Sequence, residues 1–226
     1  MRQFIQTLNA KVEFAVILVG AFGYLILNNL LAVSHPAAFP HISEGQLEFG
    51  LIYESVALTM LCWFLHWRGW STKRIGLNPT TKDSLIGLGL ALATYLAVAV
   101  VWMIAAAASI LPGNAGTYPE MGLHNLRVLT VIAVAVLNPV FEETFLAGYI
   151  ISTAKEAGLT VAGVILSVAI RLLCHLYQGS FGVVTIVPLG FVFAWWYART
   201  GRLWPLFIAH SILDTLGLLQ FLGGTH

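Results

Sequence analysis

Seven apolar stretches, at about 12–33, 46–66, 84–111, 126–151, 159–177, 181–198 and 203–221, fill most of this 226-residue chain. Each is long enough, at ~20 helical residues, to cross the hydrocarbon of a bilayer. Lipid offers no partners to backbone N–H and C=O groups, so a segment inside it must close its hydrogen bonds internally. The stretches are too long for barrel strands and do not alternate, which leaves helices. Composition adds one decisive point. Only 9% of the residues are charged, against about 25% in soluble domains, too few to give a chain of this size a water-facing surface. The expected fold class is all-α: a polytopic integral membrane protein of about seven transmembrane helices, with the lipid bilayer as its first partner.

The loops set an orientation. Arg2, Lys11, Arg68, Lys73, Arg74, Lys82, Lys155, Arg199 and Arg202 fall on one side of a chain that weaves back and forth, and the opposite loops, about 34–45, 112–125 and 178–180, carry no Lys or Arg. Basic residues favour the cytoplasmic side, so the N-terminus is expected in the cytoplasm and the C-terminus outside. Of 11 basic residues, Arg127 lies at an outer boundary and Arg171 inside a span. No cleavable signal peptide is evident, so the N-terminus is expected to be retained. A net charge of +1 points to no nucleic acid and no strongly charged partner. Cys62 and Cys174 lie in apolar runs and read as buried small hydrophobes rather than a disulfide or a metal motif. Trp63, Trp67, Trp70, Trp195, Trp196 and Trp204 read as interfacial belts, and His35, His41, His66 and His124 as boundary residues.

An ionised group inside a bilayer costs at least ~2.5–3.5 kcal/mol and needs a partner, water or a function. Most such residues here lie in the C-terminal half. The fourth stretch carries Asn138, Pro139, Glu142 and Glu143; Pro139 frees the carbonyl of Ala135 and predicts a kink. The fifth carries Arg171 and His175, four apart on one face with Ser167 and Gln178. The seventh carries His210 and Asp214, again four apart, where the Asp is expected to accept Nδ1–H of the His. Each pair alone also reads as a packing pair or a satisfied core imidazole. Three in separate spans are harder to dismiss. Glu13 and Glu54 read as lesser features, Glu54 as a carboxyl bonded within the bundle and outside the constellation.

A Glu and two His that converge can hold a divalent metal that lowers the pKa of water. Alternatively, the Glu, helped by one His, takes a proton from water while the other His steadies the oxyanion. Both are hydrolysis. No Ser or Cys stands beside a base in a recognisable setting, and His-Glu-x-x-His is absent.

The motifs resemble those of the CAAX-protease and bacteriocin-processing (CPBP, also called Abi) family of intramembrane proteases, which carries EExxxR, FxxxH and Hxxx(N/D) in three spans. The corresponding segments here are Glu142-Glu143-Thr144-Phe145-Leu146-Ala147, Arg171-Leu172-Leu173-Cys174-His175 and His210-Ser211-Ile212-Leu213-Asp214. Ala147 stands where the family has Arg, and Arg171 where it has Phe. Arg171 is expected to supply the missing guanidinium against Glu142 or Glu143, most readily Glu143. The length fits one membrane domain, 1–226, with accessory helices in 1–111; the resemblance covers about residues 126–221, the expected catalytic core. It implies a metallo- or glutamate-type endopeptidase acting on a membrane-associated peptide, prenylated or otherwise, in the bacterial inner (plasma) membrane. By it the catalytic set is Glu142, Glu143, His175, His210, Asp214 and Arg171. Glu142, His175 and His210 are the ligands if a divalent metal such as zinc is bound; a metal-free glutamate mechanism is the other expectation. The alternative function is a catalytically silent homologue that binds or scaffolds membrane partners; a small transporter lacks the inverted repeat that would support it. Substrate identity and oligomeric state are not encoded legibly.

Counting ~1.5 Å per residue along each span puts His210 shallow, Glu142 central and His175 towards the outside. They converge only if helices are tilted, offset or broken, which Pro188, Pro205 and the glycines permit.

Overall fold

The structure, a computed structural model, describes residues 9–35, 43–109, 126–219 and 221–222. All regular structure among them is helical, and every apolar stretch forms a helix: α1 (Ala10–Ser34), α2 (Glu44–Trp67), α3 (Thr81–Ala107), α4 (Val128–Glu156), α5 (Thr160–Cys174), α6 (Gly179–Thr200) and α7 (Trp204–Leu219). The other five are long and apolar enough to cross a membrane, whereas α5 and α7 have 15 and 16 residues. At ~1.5 Å per residue these two fall short of a ~30 Å hydrocarbon core. Helix length therefore supports five crossings outright and leaves α5 and α7 as shorter apolar helices.

Local chemistry fixes the helix ends. Ser43 Oγ accepts from Gln46 N while Gln46 Oε1 accepts from Ser43 N, a reciprocal cap that starts α2. Thr80 caps α3 by accepting from Asp83 N. Gly201, left-handed at φ 62°, ends α6 and donates to Tyr197 O. Two helices contain wide π turns, Val19–Gly23 in α1 and Thr144–Ile151 in α4.

One end of the bundle is knitted together by its loops. Leu203 N donates to Gly76 O at 3.0 Å. A side chain at Gly76 would collide with the Gly201 carbonyl, so only glycine admits this approach. Arg74 grips Glu156 with two bonds of 2.9 and 2.6 Å, Lys155 reaches Ala198 O, and Arg202 pairs with Asp83. Nearby, Glu13 accepts from Trp70 Nε1 at 2.9 Å, from Tyr149 OH at 3.2 Å and from Arg68, tying α1 to α4. Trp70 is thus a buried donor and not part of an interfacial belt, because its N–H is committed to a carboxylate; Trp63 and Trp195 do face outward. Cys174 is buried, but Cys62 is exposed, since it points away from the bundle on α2; neither is in a disulfide. His35 and His66 are exposed, as expected of boundary positions. His41 and His124 lie outside the described residues. At the opposite end Arg127 bonds Glu44 and Glu48, and Leu126 N donates to Phe221 O.

The packed core sits towards the knitted end. The π segment of α4 is its axis: Phe145, Leu146, Tyr149, Ile150 and Ile151 are each at most 1% exposed. They pack against Phe22 and Leu61 on one side and Phe193, Leu203 and Leu206 on the other.

Candidate active site

The site is built where α4 changes from α to π geometry. The helix runs through Pro139 to Glu143, and the widened turn begins at the next residue. π turns are uncommon and recur at functional sites. Glu142 and Glu143, adjacent in sequence, project ~100° apart and are 4% and 0% exposed.

Arg171 of α5 spans both. Its Nη1 donates to Glu142 Oε2 and its Nη2 to Glu143 Oε1, each at 2.7 Å. A planar guanidinium can serve two separate carboxylates in this way; an ammonium offers no such fixed fork. Gly190 of α6 lies alongside, where a Cβ would come into ordinary van der Waals contact with Arg171 Cδ at 3.4 Å. The ring of Phe193 lies 5.7 Å from the guanidinium carbon and packs edge-on to His210. The depth mismatch between the motifs is resolved by the shortness of α5. It stops at Cys174, and His175 caps it before a single 3-10 turn, Leu176–Gln178. Gly179, at φ +59°, then reverses the chain into α6.

His175 turns back on its own helix. Its Nδ1 lies 2.8 Å from Arg171 O, and its Nε2 faces Glu142 Oε1 across 3.9 Å. A proton on Nδ1, required to bond that carbonyl, leaves Nε2 as an acceptor. His210 of α7 sets Nδ1 2.7 Å from Glu143 Oε1, while Nε2 is 3.4 Å from Asp214 Oδ1. This corrects the expected pairing. Nδ1 belongs to Glu143, from a different helix, and Asp214 stands at the other ring nitrogen. Asp214 Oδ2 accepts from Asn138 Nδ2 at 3.0 Å.

All six expected site residues are therefore brought together around one centre. Five of them, all but Glu143, line a cavity of about 1300 Å³. Its wall is largely apolar, with Tyr24, Phe49, Tyr95, Trp102 and Leu189 among the contributors. Among the polar residues of the wall that the motifs do not name are Asn138 and Glu54. Asn138 was visible as a polar residue beside Pro139. Glu54, on α2, lines the same cavity, and its Oε2 is sealed from solvent without a hydrogen-bond partner. It lies within electrostatic reach of Glu142, His210 and Asp214. The expectation that Glu54 is bonded within the bundle fails because, among the described residues, no donor reaches that oxygen. Glu44 and Glu48 sit in the first turns of α2, and the sequence signal for Glu54 was an acid deeper in the apolar run.

Glu142, Glu143 and His210 each offer a ligand atom within 4.8 Å of the others, close enough for an ion. This trio differs from the expected Glu142, His175 and His210 by taking Glu143 in place of His175, and it fits a metal poorly. The guanidinium of Arg171 holds one oxygen of each glutamate, and both nitrogens of His210 face carboxylates. A cation there would sit beside a fixed positive charge and would have to displace it.

Residues 124–216 match the family model described as type II CAAX prenyl endopeptidase Rce1-like. No curated protein and no solved structure matches the chain.

Proposed function

We propose, from the premise that residues 124–216 belong to the Rce1-like family of CAAX-type intramembrane endopeptidases, that this chain cleaves a peptide bond with a water activated by Glu142 and His175. The observation that carries the reading is the facing pair of acceptors, Glu142 Oε1 and His175 Nε2, 3.9 Å apart on the cavity wall. A water between them donates one hydrogen to each. Its oxygen is then presented to a substrate carbonyl in the cavity.

Glu142 takes a proton as the water oxygen bonds to the carbonyl carbon, and returns it to the nitrogen as the C–N bond breaks. The products are a carboxyl and an amine, and no other reactant is consumed. With carboxylates at both ring nitrogens His210 carries a proton on each, and the oxyanion forms beside its Nε2–H, loosely held at 3.4 Å from Asp214, and the second amide proton of Asn138. Arg171 offsets the charge of the two glutamates while leaving Oε1 of Glu142 free for water. Glu143 stays behind the cavity and holds His210 in place. Glu54 brings an acceptor to the wall where a substrate N–H would pass.

This is a glutamate-type mechanism, and no step runs through a metal. The intact Glu142–His175 pair speaks against the catalytically silent alternative. Purified protein should cleave a farnesylated CAAX peptide or its unlipidated counterpart, and Glu142→Gln should remove that activity while leaving the fold unchanged. Elemental analysis should find no stoichiometric zinc, and EDTA should leave the rate unchanged. A bound zinc whose removal abolishes cleavage would overturn the metal-free mechanism.

A further inference from the structure

The cavity and the packed core occupy opposite halves of the molecule. On α2 the lining residues run from Gly45 to Glu54 and stop short of the second half; on α3 they are Tyr95, Val98, Ala99 and Trp102, all in the last half. On α5 and its C-cap they are confined to Arg171, Cys174 and His175, and on α7 they begin at His210. Every one of these positions lies towards the end where Arg127 meets Glu44 and Leu126 meets Phe221. The other end bears Arg68, Lys73, Arg74, Lys155, Arg199 and Arg202 on or beside its loops. Between that basic face and Glu142 stand Phe145, Leu146, Tyr149, Ile150, Leu203 and Leu206, each at most 1% exposed. Close-packed side chains of this kind leave no passage for a peptide.

Basic residues flanking membrane helices mark the cytoplasmic side. We infer that the catalytic cavity is reached from the extracytoplasmic side and not from the cytoplasm. The substrate is then a peptide segment of apolar or lipid-bearing character, presented from the outer leaflet or beyond it. It belongs to an exported or membrane-anchored chain, and a prenylated C-terminus lying in the cytoplasm does not qualify. This rests on the proposed peptidase reading for the word substrate, but the side of access stands on geometry and charge alone.

Single cysteines at Lys73, at Gln46 and at Gly217, placed in a Cys62→Ala, Cys174→Ala background, test it in intact cells with a membrane-impermeant maleimide. Gln46→Cys and Gly217→Cys should label from outside, and Lys73→Cys only after permeabilisation. Labelling at 46 and 217 that requires permeabilisation, or labelling at 73 without it, would overturn the inference. A second arm offers the farnesylated peptide and its unlipidated counterpart to membrane vesicles of each orientation, with Glu142→Gln as control. Cleavage confined to right-side-out vesicles supports outer access, and cleavage confined to inside-out vesicles refutes it. Expected labelling with no cleavage in either orientation would overturn the peptidase reading and leave the side of access standing.

Discussion

The most consequential residue is Arg171. One guanidinium holds two buried carboxylates at 2.7 Å each, and breaking such a pair from one side costs ~3–5 kcal/mol because an uncompensated charge remains. Arg171→Ala should lose stability of that order and all activity. Arg171→Lys keeps the charge but cannot fork, and should retain only part of each. Adding Glu143→Gln to Arg171→Ala should recover much of the stability. Losses that simply add, in denaturant melts of the four proteins of the cycle, would show the two residues to be uncoupled. Glu54 behaves differently, since nothing in the fold bonds its Oε2. Glu54→Leu should leave the melting temperature near wild type or raise it, and lower kcat/KM on the peptide about tenfold through KM, the loss of one hydrogen bond of ~1.4 kcal/mol. Glu54→Gln keeps an acceptor and should retain most activity. The placement of Arg171 beside the glutamates was legible in the sequence, because a charge in lipid demands its opposite. The partner of His210 was not. Spacing of four along α7 puts Asp214 near, but which nitrogen it meets depends on the rotamer and on Glu143 arriving from another helix.

At the scale of elements, the apolar runs and their order could be read directly, since lipid permits little besides helix. What could not be read is where helices stop or widen. The fifth run looked long enough to reach 177, but α5 ends at Cys174, because His175 bonds back to Arg171 O and Gly179 supplies a positive φ. Hydropathy is blind to both. The π turn after Glu143 is equally silent in the sequence, where the kink signal pointed only to Pro139. Close approach of helices leaves a plainer mark in glycine. A Cβ on Gly87 of α3 would lie 2.6 Å from Ile208 Cβ and 3.0 Å from Pro205 O of α7. Gly87→Ala should therefore destabilise by ~1–3 kcal/mol, as overpacked cores do, and loosen His210 with it. Thermal unfolding in detergent measures the first effect, and a fall in kcat beyond the change in folded fraction measures the second.

For the molecule as a whole, the sequence showed one basic face and one without basic loops, and it placed the chemistry in the C-terminal half. It did not show that the half nearer the basic loops is solid and the other hollow. That asymmetry comes from side chains of several helices meeting at the π segment, a long-range arrangement that no single run contains. Nor did it show that the N-terminal helices share in the cavity wall, because an isolated Glu54 forms no motif. The fork between Arg171 and the two glutamates also bears on how the protein is made. As α4 leaves the ribosome it carries two carboxylates to mid-membrane, each disfavoured there by ~2.5–3.5 kcal/mol if ionised, while their counter-ion is still to be synthesised on α5. In a glycosylation-tag insertion assay, α4 alone should integrate less efficiently than α4 joined to α5, and Arg171→Ala should abolish the gain. Equal integration of the two would show that α4 needs no help. The hairpin, rather than the single helix, is then the unit that the insertion machinery must hold back and release whole.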